Sequence, residues 1–171
     1  MTKFQFALAS IIAVTTTAHI ATVAHLAQTI WTDHYTPIIG ALQVDYMLEK
    51  YQSETAISNQ IKDGYQYYFI KTDVGHAGYF AFSLHNNYLF LSKFYVLKNM
   101  RGSGLGTLAL SFIENKAKEL HLPKIRLTVN KYNSKSISAY EKMGFANVES
   151  IVQDIGNGYV MDDYVLEKNI T

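Results

Sequence analysis

The stretch "RGSGLG", Arg101 to Gly106, carries the residue types whose spacing most directly suggests chemistry. Glycines let a backbone approach a ligand without an intervening Cβ, and the N–H groups at a helix N-terminus favour an anion. Arg101 adds a cation that can pair with a phosphate. The loop therefore predicts a phosphate site. The structural alternative is a glycine-rich turn that only reverses the chain.

Two common phosphate loops do not fit this spacing. A triphosphate loop needs G-x-x-x-x-G-K-[ST], but Gly106 is followed by Thr107 and not by lysine. A dinucleotide loop needs G-x-G-x-x-G and an acidic residue at the end of the next strand, where this chain has Asn130. The remaining hypothesis is a short loop that holds one pyrophosphate at the end of a longer ligand.

The segments on both sides of the loop predict a mixed sheet. Three runs rich in Tyr and Phe, "YQYYFIK", "HAGYFAFSLH" and "YLFLSKFYVLK", are separated by the turn sequences "TDVG" and "NN" and predict an antiparallel meander. A helical apolar stripe follows the loop and is expected to end before Pro123. "KIRLTVN" alternates like a strand, so strand, helix and strand predict a crossover with parallel strands.

The carboxyl-terminal part predicts a helix and a hairpin. "NSKSISAYEKMGF" is expected to be a helix capped by Asn133 or Ser134 and closed by Gly144. "FANVESIVQDI" and "GYVMDDYVLEK", joined through "GNG", predict a final hairpin. The fold class is therefore α/β or α+β, with a mostly antiparallel sheet of about seven strands flanked by helices.

The amino-terminal region predicts one strand and three helices. "KFQFALAS" is expected to be the first strand, and a cleaved signal peptide is disfavoured because only Lys3 precedes an apolar run that Gln5 interrupts. A helix over "AHIATVAHLAQTIWTDHY" is expected to be capped within Thr15–Thr17. Two shorter helices follow, with Ser53 capping the second of them and Gly64 ending it. Such a long connection is expected to cover a site.

Composition sets the broad limits. A chain of 171 residues suits one domain, which we expect to span residues 1–171. The net charge of +1 predicts no nucleic-acid or membrane partner. The absence of cysteine excludes disulfides and thiol catalysis. We expect a cytoplasmic protein without a metal ion.

Two stretches together resemble the GNAT superfamily of acetyl-CoA-dependent N-acetyltransferases. "VLKNMRGSGLG" is similar to the family's pyrophosphate motif, R/Q-x-x-G-x-G/A after a strand that ends in valine. "VNKYNSKSISAYEKMGF" is similar to N-x-x-N-x-x-A-x-x-x-Y-x-x-x-G-F, with Ser136 where alanine is commoner. The resemblance runs from about Tyr65 to Lys168, and the pairing makes it specific. "HYTPIIGALQVDYML" weakly resembles bacterial members assigned to polyamines.

The resemblance implies acetyl-CoA as co-substrate and a set of residues that hold it. A backbone N–H near Val96 or Leu97 would stabilise the oxyanion, and a splay between that strand and "KIRLTVN" would admit the pantetheine arm. Tyr140 matches the residue that assists the departing thiolate. The full cofactor-binding set is Tyr95, Val96, Leu97, Arg101, Gly102, Ser103, Gly104, Leu105, Gly106, Thr107, Asn130, Asn133 and Ser136.

The general base is less well defined. Many relatives carry a glutamate in the strand before the loop, and the position that corresponds to it here is Phe90. His34 is our candidate for a catalytic base beside Tyr140, because imidazole titrates near neutral pH. A relayed water is another alternative, as are the carboxylates of Asp33, Asp45, Glu49, Asp162 and Asp163.

The resemblance implies transfer of an acetyl group to a primary amine by direct attack through a tetrahedral intermediate. The acceptor would be a small molecule, such as a polyamine or an amino-acid-like amine, or a peptide amine. The missing strand carboxylate leaves an alternative, a non-catalytic acyl-CoA-binding regulatory domain. A secreted structural domain would require a cleaved amino end. A homodimer is compatible with the habits of the family.

Overall fold

The computed structural model describes residues 8–171, which form one seven-stranded sheet in the order β1-β2-β3-β4-β5-β7-β6. Every neighbouring pair is antiparallel except β4 and β5, which are parallel. The strands are β1 (Ala9–Ala13), β2 (Gln66–Thr72), β3 (Gly75–Leu84), β4 (Leu89–Val96), β5 (Lys124–Asn130), β6 (Ala146–Gly156) and β7 (Tyr159–Asn169). The predicted mixed fold, meander, crossover and final hairpin are confirmed.

Within the described residues five α-helices flank the sheet, and a short 3-10 turn, Lys98–Met100, precedes the glycine loop. The hydroxyl of Thr16 accepts the N–H of His19 at 3.1 Å and begins α1, as the threonine run predicts. Ser53 caps α3 in the same way. The helices are α1 (Thr17–Ile39), α2 (Ala41–Gln52), α3 (Glu54–Lys62), α4 (Leu105–Glu119) and α5 (Ser134–Lys142). None of those in residues 8–171 is long and apolar enough to cross a membrane.

The first strand lies later in the sequence than the run "KFQFALAS" predicts. It occupies Ala9–Ala13, because Ile11 and Ile12 pair with β2 and pack into the two cores on opposite faces of the sheet. The part of the predicted strand before Leu8 lies outside the described residues.

The sheet separates two hydrophobic cores. On one face, α4 buries Ala109 and Ile113 against Phe80 and Leu127 of the sheet. On the other face, the three leading helices bury Val23, Val44 and Ile57, among other apolar residues. The leading helices therefore pack on the face of the sheet opposite α4.

A buried polar network fixes the leading helices to the sheet. The Tyr79 hydroxyl of β3 donates to Gln52 Oε1 at 2.5 Å, and the Tyr67 hydroxyl of β2 donates to Gln60 Oε1 at 2.5 Å. Gln52 Nε2 also donates to the Tyr67 hydroxyl at 3.2 Å. Because an unpaired buried polar group costs about 1–3 kcal/mol, these bonds set where α2 and α3 sit.

The two parallel strands separate soon after they meet. β4 and β5 pair only at Leu89–Ile125 and Phe90–Arg126. On its other side β4 bulges, since Ala81 pairs with Lys93 and Phe82 with Leu91, which leaves Ser92 as the extra residue. A bulge bends and twists its strand, so β4 turns away from β5 and a wedge opens toward the carboxyl ends of both. The predicted splay is confirmed.

Candidate active site

The wedge between β4 and β5 forms a cleft of about 260 Å³, called the wedge cleft below. It runs from the glycine loop to the point where the two strands meet. Its walls are His34, Tyr35, Leu91, Ser92, Phe94, Tyr95, Val96, Arg101, Leu127, Thr128, Val129, Asn133, Lys135, Ser136, Ala139 and Tyr140. Six predicted site residues outside the glycine loop therefore line one cleft: His34, Tyr95, Val96, Asn133, Ser136 and Tyr140.

Of the loop "RGSGLG", Arg101 lines this cleft, and the residues Gly102–Gly106 do not. Arg101 Nε donates to the carbonyl oxygen of Val96 at 2.9 Å, which orients the guanidinium and leaves its two terminal amino groups available. Ser103 Oγ donates to the carbonyl oxygen of Met100 at 2.6 Å and closes the turn. Gly102 has φ of 75°, a left-handed conformation that favours glycine.

The first turn of α4 follows the glycine loop directly in the chain. Gly104 precedes the helix with φ of 85° and has no side chain to cap it. The first N–H bonded within the helix is that of Leu108, which donates to Gly104 at 3.0 Å. The N–H groups of Leu105, Gly106 and Thr107 therefore have no intrahelical acceptor. Together with Arg101 they are suited to an anion.

The backbone of β4 supplies a donor inside the wedge. The Leu97 N–H donates to the carbonyl oxygen of Ala77 in β3 at 2.8 Å. Since successive N–H groups point to opposite sides of a strand, the Val96 N–H points toward the wedge. Gly78 pairs with Val96 at this point, and a Cβ on Gly78 would overlap the carbonyl oxygen of Tyr95. Of the two N–H groups predicted for the oxyanion, that of Leu97 is therefore bonded within the sheet, and that of Val96 faces the wedge.

Tyr140 lies on α5 and lines the wedge cleft, with its ring 6.2 Å from that of Phe94 and 5.6 Å from that of Phe145. Burial raises the pKa of its phenol far above the ordinary value of 10.0. A phenol of such weak acidity keeps its proton at neutral pH, so it acts as a hydrogen-bond donor.

The two asparagines predicted to bind the cofactor, Asn130 and Asn133, line different cavities. Asn133 is buried, caps α5 by accepting the N–H of Ser136 at 3.3 Å, and lines the wedge cleft. Asn130 lies at the end of β5, and its Oδ1 accepts the N–H of Tyr132 at 2.9 Å. Asn130 lines a different cavity, described next, so the structure does not bring it into the wedge cleft.

A second cavity of about 440 Å³ lies under the leading helices and is called the aromatic pocket below. It meets the wedge cleft at Tyr35, Ser92, Tyr95, Thr128 and Val129, which line both. Its remaining lining residues are Trp31, Ile39, Gln43, Met47, Tyr51, Gln60, Tyr65, Phe90, Lys93, Asn130, Gln153, Met161 and Asp163. A volume of 300–1,000 Å³ is typical of small-molecule sites.

Two tyrosines, Tyr35 and Tyr95, lie at the junction of the two cavities, and Trp31 of the aromatic pocket packs against both. Trp31 and Tyr35 of α1 lie edge-on at 5.4 Å between ring centroids, and Trp31 and Tyr95 at 5.7 Å. The hydroxyls of Tyr35 and Tyr95 share a hydrogen bond of 3.2 Å. Burial raises the pKa of both phenols, so both are neutral at the junction.

Asp163 of β7 faces the aromatic pocket and is only 4% exposed. It pairs with Asn130 in the sheet. Burial first, and then the neighbouring Asp162 carboxylate, raise the pKa of Asp163 to about 6, against a smaller opposite effect of Lys131. Asp162 is engaged elsewhere, in an ion pair with Lys131 at 2.5 Å. Asp163 is therefore a carboxyl group that titrates close to neutral pH inside a ligand-sized cavity.

The other predicted bases lie elsewhere. His34 lines the wedge cleft beside Arg101 and Lys135, on the side of the glycine loop, and not the aromatic pocket. Burial and the Arg101 guanidinium lower its pKa, and hydrogen bonding to Asn133 opposes them. Asp33 lines an outer cavity beside the loop, whereas Asp45 and Glu49 line a separate surface cavity.

Sequence reasoning missed Lys93, the one cation that lines the aromatic pocket within residues 8–171. The bulge at Ser92 shifts the alternation of β4, so strand periodicity alone misplaces this side chain. A lysine in the middle of a largely apolar strand, "LFLSKFYV", was the signal that could have found it.

Comparison with known proteins agrees with this geometry. The sequence profile of the Acetyltransferase (GNAT) family matches residues 25–145. An uncharacterized N-acetyltransferase of Bacillus subtilis strain 168, YdgE, is 32% identical over 105 residues, which cover 56% of this chain and 67% of the relative.

Solved structures share the fold at low sequence identity. The PaiA N-acetyltransferase of Thermoplasma acidophilum, in complex with coenzyme A, is 19% identical, with a TM-score of 0.79 over 95% of this chain and 99% of that one. The spermidine N-acetyltransferase of Vibrio cholerae, in complex with CoA and spermine, is 16% identical, with a TM-score of 0.66 over 95% of each chain. With the family profile across most of its length, the chain belongs to the GNAT family of acetyltransferases.

Proposed function

We propose that the protein transfers an acetyl group from acetyl-CoA to the nitrogen of a primary amine. The observation that carries the proposal is that the wedge cleft, into which the Val96 N–H points, joins the aromatic pocket at residues that include Tyr95. The wedge cleft suits a long donor with a pyrophosphate at the loop end, and the aromatic pocket suits a small acceptor. The acetyl group would lie where they meet.

Acetyl-CoA would be held at both ends of the wedge cleft. The pyrophosphate would accept the Leu105, Gly106 and Thr107 N–H groups and pair with Arg101. Beyond Arg126, the edge of β5 that faces β4 has no strand partner. The amide groups of the pantetheine arm can pair with this edge as an added strand would.

The acceptor nitrogen must attack as a free amine. An alkylammonium has a pKa of about 10.4, so deprotonation at pH 7 costs roughly 4.6 kcal/mol. After attack on the thioester carbonyl carbon, the nitrogen becomes strongly acidic and must lose a proton. Asp163, with its pKa near 6 and its position in the acceptor pocket, is the base that we propose, in place of His34.

The tetrahedral intermediate then collapses. Its oxyanion would accept the Val96 N–H, the carbon–sulfur bond breaks, and the sulfur leaves with the bonding electron pair. Tyr140 would donate a hydrogen bond to the thiolate. Because burial raises the phenol pKa further above that of a thiol, about 8.5, this bond stabilises the thiolate without full proton transfer.

The experiment that tests the function supplies acetyl-CoA and a panel of primary amines to the full chain. Release of the CoA thiol, together with an acetylated amine seen by mass spectrometry, supports the proposal. Tight acetyl-CoA binding with no acetylated product from any amine would instead support a non-catalytic acyl-CoA-binding domain.

A further inference from the structure

Lys93 places an ammonium group inside the aromatic pocket. Its Nζ contacts the Ser92 hydroxyl at 2.5 Å, and no carboxylate lies within 4.0 Å of it in the described part of the chain. Burial lowers the pKa of Lys93 to about 8, so it is still mostly charged at pH 7. The pocket thus contains a cation that no carboxylate among residues 8–171 pairs with.

Such a group is unfavourable in the empty protein. Lys93 is partly buried, and an ammonium group taken partly out of water without a carboxylate partner loses some of its hydration free energy. A ligand that brings a negative charge to Lys93 recovers part of that loss, whereas a ligand that brings a second positive charge adds repulsion.

The remaining lining of the pocket narrows the choice of anion. Among residues 8–171, Lys93 and Asp163 are the two charged side chains that line it, and aromatic or neutral groups form the rest. One cation suits a singly charged carboxylate better than a dianionic phosphate. In the sheet, β5 lies between β7, which carries the Asp163 carboxyl group, and β4, which carries the Lys93 ammonium group. One ligand could therefore contact the two groups with its two ends.

We infer that the acceptor is an amine that also carries a carboxylate, which pairs with Lys93 while the amino group faces Asp163. This inference rests on the proposed function and gives its substrate class. Polyamines, which carry a second ammonium group, are excluded as preferred acceptors by the same charge.

Three amines of one chain length test the inference: 6-aminohexanoate, hexylamine and 1,6-diaminohexane. The full-chain wild-type protein should show kcat/KM at least about tenfold higher for 6-aminohexanoate than for hexylamine, as one hydrogen-bonded charge pair implies. It should be lowest for 1,6-diaminohexane. In Lys93→Met, the ratio of the first two values should fall to about one, and Lys93→Glu should favour the diamine.

Lys62→Met is the matched control, because Lys62 is exposed in the last turn of α3, and it must keep the wild-type ratio. A wild-type preference for the diamine, or an unchanged ratio in Lys93→Met, would overturn the inference while leaving acetyl transfer intact. If no amine is acetylated, the proposed function fails. Calorimetric binding of 6-aminohexanoate to the CoA complex then decides the inference, which requires weaker binding in Lys93→Met.

Discussion

Tyr140 is the residue whose role is most open to a direct kinetic test. We expect Tyr140→Phe to lower kcat by about 10–100-fold, because one hydrogen bond to the departing thiolate is lost. The ring and its contacts with Phe94 and Phe145 remain, so the dissociation constant for acetyl-CoA should hardly change. Steady-state kinetics with calorimetry measures both. An unchanged kcat, with acetyl transfer as the slow step, would remove Tyr140 from the mechanism.

Asp163 should leave its signature in the pH dependence of the reaction. Its carboxylate is present above pH 6 and is lost as the pH falls through about 6. We expect kcat/KM to fall below that pH, with a slope that Asp163→Asn removes at the cost of most of the activity. A profile of kcat/KM from pH 5 to 9 for both proteins makes the comparison. His34→Gln is the control, and a loss of the same limb there would return the base to His34.

The same carboxyl group should make the protein less stable near neutral pH. Its folded pKa is raised to about 6 from a model value of 3.8, so the folded state holds a proton that the unfolded chain releases. Stability therefore falls as the pH rises through this interval. Asp163→Asn should raise the melting temperature at pH 7, and the difference should shrink toward pH 4. A lower melting temperature at pH 7 would contradict the burial of an ionised carboxylate.

At the scale of elements, the first turn of α4 depends on Gly104 far more than on Gly106. Gly104 has φ of 85°, whereas a Cβ at Gly106 would meet the Met143 methyl group at 3.5 Å and the Phe94 ring at 4.0 Å, both ordinary contacts. Gly104→Ala should lower the free energy of unfolding by about 1–2 kcal/mol, and Gly106→Ala should leave it equal or slightly higher. Urea unfolding of both variants measures these free energies. Equal changes in the free energy of unfolding would contradict the geometry of the loop.

The elements were predictable from local patterns, but their junctions were not. Thr16, Ser53 and Asn133 cap helices where their types indicate, because capping depends on residues three positions apart. The inward turn of Lys93 depends on a bulge that only the pairing of β3 with β4 reveals. Likewise, the choice of His34 or Asp163 as the base depends on where α1 and β7 lie in the fold. Local sequence does not show that His34 lies beside the glycine loop and Asp163 in the aromatic pocket.

At the scale of the molecule, one polar network determines how the leading helices cover the pocket. Tyr79→Phe removes the donor to Gln52 Oε1 in a fully buried position. We expect the free energy of unfolding to fall by about 1–3 kcal/mol and KM for the amine to rise, because α2 lines the pocket. Tyr132→Phe, at a side chain that is 71% exposed, is the control and should change neither quantity. Equal stability of both variants would show that the network does not hold the helices.

The whole architecture supports our proposal that residues 1–171 act as one acetyltransferase domain. All seven strands of the described part share one sheet, and the site uses elements from α1 to β7. The wedge cleft is lined by residues of α1, β4, β5 and α5, and the aromatic pocket by residues of α1, α2, α3 and β4–β7, so both cavities draw on elements far apart in the chain.

The central claim is that acetyl-CoA, held in the wedge, delivers its acetyl group to an amine in the aromatic pocket. Its most direct test is mass spectrometry of a 6-aminohexanoate reaction with the wild-type protein and with Arg101→Ala. We predict an N-acetylated product, formed with release of one CoA thiol for each product, and an acetyl-CoA dissociation constant that rises about tenfold in Arg101→Ala. Absence of acetylated product from this and every other amine, with acetyl-CoA bound equally by both proteins, would contradict the account.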